Sequence, residues 1–236
     1  MTDYMSDGSI ETDRDNHLWL DLWRTRQTNF HQKKVNKFLS TYWPGLNLTR
    51  GSRVFVPLCG KSLDMTWLAK QGHEVIGVEL STVAVKAFFR ENQLKPIKRR
   101  LGKYTLWRHG RISILCGDYF SLNKDDLGHI DTVYDRAALT ALPEEIRKRY
   151  AMHLQLIVPQ ADIFLLTVED IVQETGLSQD PDVDKEINTL FSEEFDITLT
   201  HVETGIETDH QSPEKPPIKT EYKVYQLAHK SAIKNS

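Results

Sequence analysis

Two short apolar runs, Arg53-Val54-Phe55-Val56 and Val75-Ile76-Gly77-Val78-Glu79, lie either side of a segment long enough for one amphipathic helix. An unbroken apolar run of strand length, bounded by turn residues, is the pattern of a strand buried on both faces. Two such strands joined by a helix make a parallel βαβ unit, which commits the chain to a sheet covered by helices. Between them, Ser62 to Gln71 carries Leu63, Trp67 and Leu68 as an apolar face and stops at Gly72. Ser62 is placed to cap that helix, and Asp64 in its first turn complements the positive end of the dipole.

The turn after the first strand, Pro57-Leu58-Cys59-Gly60-Lys61-Ser62, precedes Glu79 by about the 20 residues that separate a first βα turn from a ribose-binding carboxylate. Leu58 and Glu79 are therefore expected side by side at the carboxyl edge of the sheet. A phosphate-binding loop needs a glycine five residues before Gly60, and position 55 is Phe. No G-x-G-x-x-G follows the strand, so a dinucleotide pyrophosphate is not provided for. A nucleoside cofactor without phosphate, such as S-adenosylmethionine, fits what remains. The alternative is a plain polar turn with a solvated glutamate at a strand end.

At 236 residues with 39% hydrophobic content, the chain is sized for one α/β domain. That domain is expected over 16–236, behind an unstructured acidic tail at 1–15, with 16–45 forming a helical lid. Strands are expected at about Arg53 to Pro57, Glu74 to Glu79, Ile112 to Cys116, Thr132 to Asp135 and Ile163 to Val168. Helices at Thr82 to Asn92, Pro143 to Ile157 and Asp184 to Phe191 alternate with them, and two more precede the sheet at about Asn16 to Arg26 and Gln32 to Tyr42. His109-Gly110 reads as a hairpin turn. Phe195 to Glu203 and Tyr222 to His229, joined by the polar stretch Thr208 to Lys219, read as a closing antiparallel hairpin.

A net charge of −3 supplies no broad basic surface for nucleic acid, and no run of 18 apolar residues spans a membrane. Two cysteines make no disulfide framework, so a reduced, cytoplasmic monomer is expected. The nine histidines show no ligand spacing, so no metal is expected, and no G-x-S-x-G marks a nucleophilic serine.

Three further segments carry chemistry. Gly117-Asp118-Tyr119 closes the third core strand, where Asp118 can accept from an adenine amino group and Tyr119 can touch the base, or where both can simply end a strand. Asp135-Arg136 closes the fourth, and Arg136 offers a rigid fork of donors to a carboxylate unless Asp135 takes it as an ion pair. Trp19 and Trp23 share a helix face ahead of Asn29-Phe30-His31-Gln32, which suits core packing, or a lid whose rings face a sulfonium cation.

Taken in order, Trp19-x-x-x-Trp23, Asn29-Phe30-His31-Gln32, Val56-Pro57-Leu58-Cys59-Gly60-Lys61-Ser62, Gly77-Val78-Glu79-Leu80-Ser81 and Asp135-Arg136-Ala137-Ala138-Leu139 resemble the thiopurine S-methyltransferase family, a branch of the class I methyltransferases. The resemblance implies a three-layer Rossmann-like fold with a mostly parallel seven-stranded sheet and a C-terminal antiparallel hairpin. It implies that Trp23, Leu58, Glu79 and Arg136 contact S-adenosylmethionine, that Asp118 and Tyr119 lie beside its adenine, and that Phe30 stands between cofactor and substrate. The acceptor it implies is the sulfur of an aromatic or heterocyclic thiol, which ionises near neutral pH and needs no catalytic base. Methylation of selenium or tellurium species is an alternative within the class, and a non-catalytic cofactor-binding module is one outside it. The chain departs from the family at Gly176 to Pro181, where a G-P-P-F-like segment is usual, and it has no clear match within Thr208 to Lys219 to the family's basic substrate-side residue.

Overall fold

The computed structural model describes residues 7–28, 30–171, 183–207 and 218–230. Two helices, α1 (Asp7–Thr25) and α2 (Lys37–Tyr42), precede β1 (Arg53–Val56), α3 (Asp64–Lys70), β2 (Glu74–Glu79) and α4 (Thr82–Glu91). Three strands follow, β3 (Ile97–Leu101), β4 (Tyr104–His109) and β5 (Ile112–Cys116), then α5 (Lys124–Leu127), β6 (Thr132–Arg136), α6 (Ala138–Ala141) and α7 (Glu144–Ile157). The described chain closes with β7 (Asp162–Ile171), α8 (Val183–Phe191), β8 (Phe195–Glu207) and β9 (Ile218–His229).

The nine strands among the described residues join one sheet in the order β3-β4-β5-β2-β1-β6-β7-β9-β8. Its centre, β5-β2-β1-β6-β7, is parallel, and antiparallel hairpins extend both edges. The βαβ unit and the closing hairpin are where the sequence puts them, but the sheet has nine strands rather than seven. The strand without a sequence signal is β3, whose Ile-Lys-Arg-Arg-Leu is exposed over its first four residues and so has no alternation to read. It pairs with β4, which in turn meets β5 around Gly110 at φ +55°, the expected hairpin.

The period-two alternation of the central strands explains their unbroken hydrophobicity. Phe55 and Val133 face one layer, with Ile146, Tyr150, Leu154 and Ile157 of α7. Val54, Val56 and Tyr134 face the other, against Phe38 and Leu39 of α2, Met65 and Leu68 of α3, and Val85, Phe88 and Phe89 of α4. Both faces are dry, so every position of such a strand must be apolar.

The N-terminal region differs from expectation. Residues 7–15, expected in an unstructured tail, form the first half of α1, while 1–6 lie outside the described residues. Tertiary packing overrides the polar composition: α1 lies against α4 and α7, and Arg14 pairs with Glu145 at 3.4 Å. The second helix starts at Lys37, five residues later than expected, because Asn36 caps it by accepting from Phe38 N (2.9 Å) and Leu39 N (3.3 Å).

Asp64 does stand in the first turn of α3, and it has a second role as well. It is 2% exposed and accepts from Asn36 N (2.8 Å) and the Tyr134 hydroxyl (2.7 Å), tying α3 to the lid segment and to β6. Ser62 Oγ does accept from Asp64 N, at 3.2 Å. No helix among the described residues is long and apolar enough to cross a membrane.

Candidate active site

The chain leaves β1 toward β2 and β5 on one side and returns to β6 on the other, so the sheet's topological switch point lies between the carboxyl ends of β1 and β6, where open α/β sheets bind ligands. The turn leaving β1 there is tight. Leu58 and Gly60 both take left-handed φ, +45° and +53°, and Cys59 N donates to Val78 O at 2.9 Å, fastening the turn to β2. Cys59 Sγ packs so close to β2 that a Cβ on Gly77 would come within 2.6 Å of it. Burial pushes the Cys59 thiol well above its ordinary value, so it is packing rather than a nucleophile.

Glu79, at the tip of β2, closes the same unit. Its Oε2 accepts from Gly60 N (2.8 Å) and its Oε1 from Ser81 N (2.6 Å). The carboxylate is 7% exposed, and burial raises its pKa to about 7 against these backbone donors. Each oxygen keeps lone pairs for another donor, which suits a pair of adjacent hydroxyls.

Asp118 and Tyr119 follow β5. Asp118 caps a short 3₁₀ turn, accepting from Phe120 N (3.2 Å) and the Ser121 hydroxyl (2.9 Å). Tyr119 reaches the cavity but turns its hydroxyl away: the hydroxyl donates to Tyr150 O (3.2 Å), and the ring stacks on Tyr150 at 4.9 Å. Its half-buried neighbour in this wall is Phe120, which no sequence motif marks; Arg149 lies over its ring at 4.4 Å.

After β6 the chain turns sharply through Ala137 at φ +58°. Asp135 does not pair with Arg136. It is buried and accepts from Ala138 N (2.9 Å), Leu139 N (3.4 Å) and the Tyr150 hydroxyl (2.6 Å), with burial lifting its pKa to about 6. Arg136 is left with a long 3.5 Å contact to Phe30 O and no ion pair among the described residues.

The lid completes the site. Phe30 is held edge-on between Trp19 and Trp23, with ring centroids 5.3 and 5.4 Å apart. Trp23 is 6% exposed and lies on Gly60, where a Cβ would meet its ring at 3.1 Å. It therefore packs and also faces the cavity, so the two readings of its position are not exclusive. Phe30 keeps 40% of its surface free.

These parts line one cleft, of about 140 Å³ and partly open to solvent. Trp23, Phe30, Leu58, Glu79, Asp118, Tyr119 and Arg136 all line it. So do His31, Lys61 and Asp15, which were not expected there from the sequence. Burial and the Lys61 charge lower the His31 pKa, while Lys61 itself pairs with Glu91 at 2.8 Å. His31 adjoins Phe30 in sequence and was findable on that ground; Asp15 carried no local signal. Residues 176–181 and 208–217, where the departures fall, lie outside the described residues.

A family model described as Thiopurine S-methyltransferase matches residues 14–230. The thiopurine S-methyltransferase of Stutzerimonas stutzeri is 58% identical over 93% of both chains, and that of Nitrosospira multiformis is 46% identical over 77% of this chain and 83% of its own. A probable thiopurine S-methyltransferase of Yarrowia lipolytica is 41% identical over 77% of this chain and 86% of its own. Among solved structures, the 1,6-didemethyltoxoflavin-N1-methyltransferase of Burkholderia thailandensis superposes with a TM-score of 0.60 at 10% identity, covering 97% of this chain and 93% of its own. Magnesium protoporphyrin IX methyltransferase of Synechocystis gives 0.54 at 17% identity, covering 97% and 100%. At such identities these two speak for the fold.

Proposed function

Because this chain belongs to the thiopurine S-methyltransferase family, we propose that it is an S-adenosylmethionine-dependent enzyme that methylates the sulfur of an aromatic or heterocyclic thiol. The observation that carries the reading is the Glu79 carboxylate, buried beside the phosphate-free Leu58-Cys59-Gly60 turn and sharing one cavity with the Arg136 guanidinium.

The residues present fit that cofactor. Glu79 offers two oxygens to the ribose hydroxyls, and Arg136 offers a guanidinium to the methionine carboxylate. Leu58 and Trp23 wall the site on either side of Gly60, which has no Cβ to obstruct it. Asp118, Tyr119 and Phe120 form the adenine wall, with the Tyr119 ring edge and backbone on the cavity because its hydroxyl is engaged behind. When bound, the cofactor supplies an electrophilic methyl group on a sulfonium.

The protein's part is placement and exclusion of water. Trp19, Trp23 and Phe30 roof the cavity with ring faces that favour a cation and leave water little room. The acceptor arrives as a thiolate, its proton already lost to solvent, so no base is required. The cavity walls would hold its sulfur in line with the methyl group that the bound cofactor would supply. Alignment of this kind is worth roughly 7 to 11 kcal/mol of barrier in favourable cases.

The test is calorimetry with S-adenosylhomocysteine together with methyl transfer from labelled S-adenosylmethionine to 6-mercaptopurine. Binding with turnover supports the reading; binding without turnover on any aromatic thiol marks a non-catalytic module. We further take the protein to act as a monomer in a reducing cytoplasm, a setting that suits its free Cys59 and Cys116.

A further inference from the structure

The roof of the cavity carries one buried carboxylate that the mechanism above does not use. Asp15, Trp19 and Trp23 fall at every fourth position of α1 and so share one stripe. Asp15 is 8% exposed and lines the cavity with Asn16, Trp19, Phe30 and Leu142. Trp19 donates to it through its side chain, and the charges acting on it are Arg14 and Glu145, which pair with each other at 3.4 Å.

A carboxylate has about four acceptor sites, and among the described residues the Trp19 side chain is the one donor beside it, which leaves sites open to the cavity. The other two carboxylates of the cavity are better satisfied: Glu79 accepts two backbone donors, and Asp118 accepts a backbone N–H and a hydroxyl. Burying an under-satisfied carboxylate costs stability. The Asp15 oxygens face the cavity rather than being sealed in the core, so a bound ligand can complete their hydrogen bonding.

We propose that Asp15 contacts the ligand, its carboxylate accepting a hydrogen bond from an N–H donor of a bound nitrogen heterocycle. Two sources share that chemistry, the amino group of the cofactor's adenine and a ring N–H of the acceptor. The inference rests on the methyltransferase reading, and the experiment separates the two.

The Asp15→Leu and Asp15→Asn variants are compared with the wild type in S-adenosylhomocysteine affinity and in the Michaelis constants for two thiols. One thiol is the purine 6-mercaptopurine, and the other is 4-nitrothiophenol, which has no N–H. An adenine partner makes Asp15→Leu bind S-adenosylhomocysteine at least about tenfold more weakly, a loss that vanishes with S-inosylhomocysteine, where a carbonyl replaces the amine. An acceptor partner leaves that affinity within about twofold and raises the Michaelis constant for the purine thiol at least about tenfold, with the value for the nitrothiophenol unmoved. Unchanged values throughout, or equal losses for both thiols with cofactor affinity intact, overturn the proposal. Asp15→Asn matches the native shape but keeps one acceptor oxygen, so Asp15→Ala carries the same comparisons if Asp15→Leu fails to fold. A wild type that does not bind S-adenosylhomocysteine removes the methyltransferase reading itself, whereas a wild type that binds, with indifferent variants, removes only the role of Asp15.

Discussion

Glu79 concentrates the chemistry of the site in one side chain, and its titration makes it measurable. Its folded pKa of about 7 lies above the ordinary 4.5, so between those values the folded protein holds a proton that the unfolded chain has lost. Stability contributed at this position is therefore present in acid and falls as pH rises from about 4.5 to 7, with Asp135, lifted to about 6, adding to the same slope. Glu79→Gln should flatten that slope in urea titrations run across the window. On the proposed reading, in which ribose hydroxyls donate to the ionised carboxylate, affinity for S-adenosylhomocysteine should rise from pH 6 to 8, and calorimetry in buffers of different ionisation enthalpy should show proton release. Glu79→Ala should weaken binding by roughly 1.5 to 3 kcal/mol, the scale of hydrogen bonds to a charged group. Beside it, Gly77→Ala should destabilise the fold by about 1 to 3 kcal/mol through the Cys59 Sγ clash, and Cys59→Ala should recover part of that loss in a double-mutant cycle. Glu79 and Leu58 were legible because their spacing follows from a strand, a helix and a strand of fixed length. The hydroxyl of Tyr119 was not, since its direction is set by Tyr150, a residue of a helix far along the chain.

At the scale of elements, the tie points are where sequence pattern and structure diverge. Helix α3 reads correctly from its apolar face, yet its N-cap is Leu63 rather than the expected Ser62, and Asp64, expected only to complement the dipole, is also an internal junction. Asp64→Ala would leave the Tyr134 hydroxyl and the Asn36 N–H without their acceptor, an expected loss of about 2 to 4 kcal/mol in urea unfolding. Because Asn36 caps α2 at the end of the lid segment, the same change should also lower cofactor affinity, read by calorimetry under conditions where the variant is folded. Nothing local distinguishes Asp64 from a dipole partner, for its two donors lie 28 and 70 residues away. Strand β3 was invisible for the opposite reason, its partner being near but its side chains facing water. Its Lys98, Arg99 and Arg100 suit an edge strand, where charge discourages pairing with another chain.

Across the whole molecule, the parallel centre and the side on which the site forms followed from the alternation of buried strands with helices. The course of α1 did not, because its polar first half is held by α7 and not by any pattern of its own. That helix runs between α4 and α7 above the switch point and is fastened unequally. Near its C-terminus it is wedged by Trp23 on Gly60, while its middle rests on the Arg14–Glu145 pair, whose side chains are 74% and 43% exposed. An exposed pair of this kind is worth about 0 to 1 kcal/mol and weakens with salt. If both products leave past this helix, their escape rather than the chemical step is expected to set the pace of turnover. Rapid mixing should then show a burst of one methyl transfer per enzyme followed by a slower steady rate. That slow phase should quicken with added salt or in Glu145→Ala, leaving the burst itself unchanged.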